Sequence, residues 1–223
     1  MQFSSSAYMG RDDPEPSPEQ VQAWHRRMGP PDNELPGAIP FHAVLAKTDD
    51  LVIAVVNADA YSTGMSIRIA IRFRRLDASL HGFDPPPYGP GGGTFLVGIA
   101  YPDGRTASTV NSRGFSDPAM PEDAPSLMDH GGGGGGHTFE MNYWLTPMPS
   151  PGDLTIIVAW PTRDIPESRA TIPGAVIAQG ASANVEIWPW QPPENDEPPP
   201  LPRPVLPEGG WFAQHATDDP SDG

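Results

Sequence analysis

The chemistry this chain can offer resides in a few groups of side chains. Arg68, Arg72 and Arg74, followed by Arg75, are its one basic concentration and lie in the stretch GMSIRIAIRFRRL, residues 64–76. Alternate residues of a strand stand about 7 Å apart on one face, so these guanidinium groups could grip an anionic ligand or an acidic segment. They could equally pair with acids on neighbouring strands, such as Asp59 or Glu140. Trp144, in HTFEMNYWL, has opposite parity to Phe139, Met141 and Tyr143. That parity turns its indole outward, where a ring could stack on a sugar or another small molecule. Trp160, Trp188 and Trp190 fit the packed end of a core. Trp211 and Phe212 are paired aromatics in a polar segment and are expected to anchor a partner. The nearby PPPLPRP, residues 198–204, has the spacing that aromatic grooves accept.

Reactive chemistry is harder to find. The hexaglycine Gly131–Gly136 between His130 and His137 has neither the lysine nor the following helix of a phosphate-cradling loop, and is expected to be a flexible hinge. A metal held by His130, His137 and Asp129 would need further ligands. The pairs Asp49/Asp50, Glu122/Asp123 and Asp164/Glu167 fall in expected turns, where solvation and capping are the ordinary roles of carboxylates. No GxSxG elbow is present. His42 or His137 beside a carboxylate would be the nearest thing to a hydrolase site. No catalytic residue, metal or cofactor is therefore assigned.

The elements that must position these groups follow from periodicity. Met65, Ile67, Ile69, Ile71 and Phe73 alternate with Ser66, Arg68, Ala70, Arg72 and Arg74, which predicts a central strand with one buried and one wet face. Further strands are expected over 40–48, 51–58, 94–101, 105–110, 137–145, 154–160, 168–172 and 184–190. Val52, Val55 and Val56 break strict alternation, which predicts a bulge or burial on both faces. Pro173 starts a brief helix that Gly180 ends. Ser17 and Pro18 open another over 18–28, with Val21, Trp24 and Met28 on one side, free to dock on the parent domain or on a partner. The fold class is all-β: a single antiparallel, immunoglobulin-like β-sandwich of seven to eight strands. Residues 1–36 are expected to be a disordered arm apart from that helix, 37–190 the sandwich, and 191–223 a disordered proline-rich acidic tail.

Composition narrows the partners. Of 223 residues, 31 are proline and 24 glycine, and the net charge of −15 repels phosphate backbones, so nucleic acid is not expected. The absence of cysteine and of an apolar run of about 18 residues fits a cytoplasmic protein without membrane insertion.

The order KTDDLVIAV, AYSTGMSIRIAIRFR, YPDGRT, GGGGGG, WLTPMPSPGDLTIIVAWP and IPESRATI resembles a family of small uncharacterised actinobacterial proteins over residues 37–190. The resemblance implies a complete middle domain and brings no activity, ligand or site residue with it. The sequence thus points to a non-enzymatic interaction or structural module whose partner is another protein, and sets no oligomeric state. Carbohydrate or small-molecule binding is the alternative, and a hydrolase with an unrecognised site a third.

Overall fold

The computed structural model describes residues 18–75, 95–110 and 123–191. The expected anchors Trp211 and Phe212, the proline-rich motif, Glu122 and residues 1–17 lie outside them. The described residues fall in one compact unit.

The strand read from GMSIRIAIRF is present as β5 (Met65–Phe73). It lies between β4 (Leu51–Ala60) and β9 (Thr138–Thr146), both antiparallel to it. Met65, Ile67, Ile69, Ile71 and Phe73 are all buried, as their period requires. Beyond β9 lies β8 (Ser126–Gly135), and the far side of β4 pairs with β2 (Gly37–Ile39) and β3 (Ala43–Lys47). The opposing sheet runs β11 (Ile165–Ile172), β10 (Leu154–Trp160), β6 (Leu96–Ala100), β7 (Thr106–Ser108). The chain changes sheet after β5, after β7 and after β9. The order β4-β5-β9-β8 facing β6-β10-β11 is the immunoglobulin arrangement of four strands over three, with β7 added at one edge. Side chains from both inner faces, including Ile53, Ile69, Met141, Val97, Ile156 and Trp160, form one core.

Local sequence explains the irregular points. Val55 pairs with Ile69 and Asn57 with Arg68, so Val56 is bulged, and of the two outcomes the broken alternation allowed the ladder shows the bulge. At the other end of the hairpin the ladder stops at Phe73. Arg74 lies past the strand, where its N–H donates to the Asp50 carbonyl at 2.7 Å. The strand that carries Arg68 and Arg72 thus ends one residue before Arg74.

Four further expectations are corrected. The glycine run is no hinge: Gly131 to Gly135 are the second half of β8, and Gly132 to Gly135 pair with β9. The two strands approach so closely that a Cβ at Gly132 would strike the Glu140 carbonyl, whereas a Cβ at Gly133 would meet open space. The helix after Pro173, α2 (Gly174–Ser182), runs through Gly180, which is buried where a side chain would strike Ile39. The compact unit also starts earlier than residue 37. α1 (Pro18–Met28) is helical, and β1 (Glu34–Leu35) pairs with β12 (Val185–Glu186) in a separate two-stranded ribbon. That ribbon replaces the longer last strand expected over 184–190.

Gly132→Ala should destabilise the protein by about 1–3 kcal/mol, because the added methyl must displace backbone. Gly133→Ala should be neutral or gain about 0.5–1 kcal/mol from reduced chain entropy. Urea unfolding of the two variants checks this pairing, and equal effects would contradict it.

Candidate functional site

Arg68 and Arg72 stand on the wet face of β5, as their parity dictates, and both find partners on β9. Arg72 Nη2 donates to Glu140 Oε1 at 2.7 Å, and Arg68 Nε donates to Asn142 Oδ1 at 3.0 Å. Asp59, the other expected acid, instead accepts from Asn57 Nδ2 at 2.6 Å. An exposed pair of this kind contributes about 0–1 kcal/mol. It occupies one of the two guanidinium groups with the protein's own carboxylate. The row is cross-strand pairing more than an open anion clamp.

Trp144 departs from expectation in an instructive way. Its parity does point it away from the core, yet it is only 1% exposed. Tyr61 meets it edge-on at 5.6 Å, and α1 covers it from above, the indole N–H donating to the Arg26 carbonyl at 3.1 Å. The Met28 carbonyl accepts from His130 Nε2 at 2.6 Å. The last carbonyls of a helix have no partner within it, and here the sheet supplies donors. Trp144 is thus the seat of α1 and no exposed stacking platform.

The remaining candidates for reactivity separate. His137 Nδ1 donates to the Phe73 carbonyl at 2.9 Å, so the two histidines flanking the glycine run hold different segments and do not converge. Burial raises the pKa of the Asp129 carboxyl, while the Gly131 N–H and the charge of His130 act to lower it. Tyr143 lies across the ladder from Asp129, and burial raises its pKa too. Glu167 pairs with Arg169 at 3.4 Å, and Asp103 with Arg105 at 2.9 Å. His42 is exposed. Among the described residues no group of three or more His, Asp or Glu side chains is placed to hold a metal. A groove of about 570 Å³ lies between the loop 148–153 and α2. Met148, Ile177 and Ala181 line it, and its one carboxylate, Asp153, accepts from the Gly174 N–H at 2.9 Å. No nucleophile with an adjacent base faces it.

The distinctive surface is elsewhere. Seven large apolar residues are exposed among the described residues, and five of them, Trp24, Leu35, Val185, Ile187 and Trp188, belong to α1, the ribbon and its continuation. Leu35 is directly opposite Val185. Asn33 fixes the next residues, its carbonyl accepting from the Ile187 N–H at 2.8 Å and its Nδ2 donating to the Trp188 carbonyl at 3.0 Å. His25, in ring contact with Trp24 at 5.1 Å and Trp190 at 6.5 Å, ties α1 to this end. Trp188 at 57% exposed is the opposite of the core residue expected from clustered tryptophans. Leu35, Val185 and Ile187 were not singled out from sequence. The one signal was alternation of Val185 and Ile187 with Glu186 in a segment bounded by Pro189.

Comparison with known protein families, with curated proteins and with solved structures finds no match to this chain.

Replacing Trp144 by Phe keeps the ring contact and removes the donor to Arg26. The Arg26 carbonyl then loses a bond worth about 1 kcal/mol, and an isolated helix of this length is marginal in water. Hydrogen exchange across residues 22–28 should therefore accelerate while that of β5 stays unchanged. Unchanged exchange in α1 would mean that Trp144 does not seat it.

Proposed function

We propose that the protein is a cytoplasmic, non-enzymatic interaction module that binds another protein through the apolar end formed by α1, β1 and residues 185–190. The observation that carries this is that Trp24, Leu35, Val185, Ile187 and Trp188, all exposed, belong to α1 and to the ribbon and its continuation, with Leu35 opposite Val185 and His25 in ring contact with Trp190. Leaving such groups in water forgoes about 1.5–3 kcal/mol for each large side chain, and apolar patches with a polar rim mark contact surfaces. Tryptophan is the residue that most often dominates the energy of such contacts. Polar residues adjoin these in sequence: Glu34 and Glu186 on the ribbon, Asn184 just before it, Arg26 and His25 on the helix. Among the described residues no helix is long and apolar enough to cross a membrane.

The test is a comparison of proteins recovered by proximity labelling in the native cell with the unaltered chain and with a Val185→Ser/Trp188→Ser variant. Loss of a dominant aromatic contact costs about 2 kcal/mol or more, a fall in affinity of about thirtyfold. Partners should disappear with the variant while its core amide spectrum stays that of the folded protein. An identical set of partners would overturn the proposal.

A further inference from the structure

We infer that the free edge of β12 receives an extended strand of the partner protein in which apolar and basic side chains alternate. This rests on the interaction role proposed above and adds the chemistry of the partner.

The ribbon has a two-residue period across both strands. Leu35 is opposite Val185, and Glu34 is opposite Glu186, so one pair is apolar and the next is acidic. Successive side chains point to opposite faces, which places Leu35 and Val185 on one face and both carboxylates on the other. Ile187 continues the apolar face.

Backbone geometry selects the edge. The Ile187 N–H donates to the Asn33 carbonyl, so residue 187 turns its main chain toward β1. Main-chain groups of an antiparallel strand alternate between its two sides, so the N–H and C=O of Glu186 point away from β1. No strand pairs that side among the described residues. Pro189, with no N–H to give, limits the docking length to a few residues.

Charge selects the occupant. The Glu34 carboxylate accepts from the Ser62 N–H at 2.9 Å, from the Ser62 hydroxyl and from Asn184 Nδ2 at 2.7 Å. Glu186, directly opposite, makes no hydrogen bond or ion pair among the described residues. Like charges facing each other across a ladder destabilise it, and a lysine or arginine from an added strand relieves that repulsion. The same strand places its alternate apolar side chains beside Val185 and Ile187. Two strands of two residues are too few to be stable alone, and a third supplies main-chain bonds that they lack.

The probe is an acetylated hexapeptide alternating isoleucine and lysine, titrated into the full chain and followed by backbone amide shifts. Two comparison peptides are the same six residues in block order and an isoleucine–glutamate alternation. The alternating lysine peptide should shift the amides of residues 185–187, and the block-order peptide should bind about tenfold more weakly or worse. Glu186→Lys should transfer the preference to the glutamate peptide, and Glu186→Gln should abolish the preference without reversing it. Equal affinity for the block-order peptide, shifts confined to another surface, or an unaltered preference in both variants would overturn strand addition. If the peptides fail while the Val185→Ser/Trp188→Ser variant still loses its cellular partners, strand addition alone falls. If that variant keeps its partners, the interaction role falls with it.

Discussion

Burial of one face of β5 is the constraint on which the sandwich depends. Five apolar side chains in strict alternation must leave water together, and only a second sheet can cover them. That requirement sets β4 and β9 on either side of β5, turns Val55 and Met141 inward beside Ile69, and brings Ile156 and Val158 across from the other sheet. Alternation then leaves Arg68 and Arg72 no choice of face, and β9 meets them with Asn142 and Glu140. The basic row thus follows from the core, and its charge is partly spent within the sheet.

The outer face of the same sheet is also partly closed. Trp144 is as buried as the core residues Val55, Ile67 and Met141 although its parity excludes it from the core. It is buried because α1 lies on it, and α1 in turn is held by the indole N–H and by His130 at its carboxyl end. A helix of this length gains its order from such docking more than from propensity. The covering of Trp144 leaves the exposed aromatic and aliphatic groups concentrated at the end where α1 meets the ribbon.

What could be read from sequence followed from local period. The alternation of β5, its interruption in β4 near Val55 and Val56 and the helix after Pro173 all follow from residues within a few positions of one another. The polyglycine half of β8 was not legible, because a side-chain-free segment has no period, and its pairing rests on a close approach to Glu140 that only the folded sheet creates. Trp144 was read to the correct face and the wrong environment, since what covers it lies 118 residues away. The ribbon was hidden for the same reason. Leu35 is two residues from a glycine in a proline-rich lead, and its partner Val185 is met only after the whole sandwich has closed.

The central claim is that the end bearing Trp188 is where another protein binds. Its most direct test places a photo-crosslinking amino acid at position 188 and, in a second protein, at the exposed position 169 on the opposite sheet, with both irradiated in the native cell. A discrete crosslinked protein from position 188 and none from position 169 is the predicted result. No crosslink from position 188, or the same products from both positions, would contradict the account.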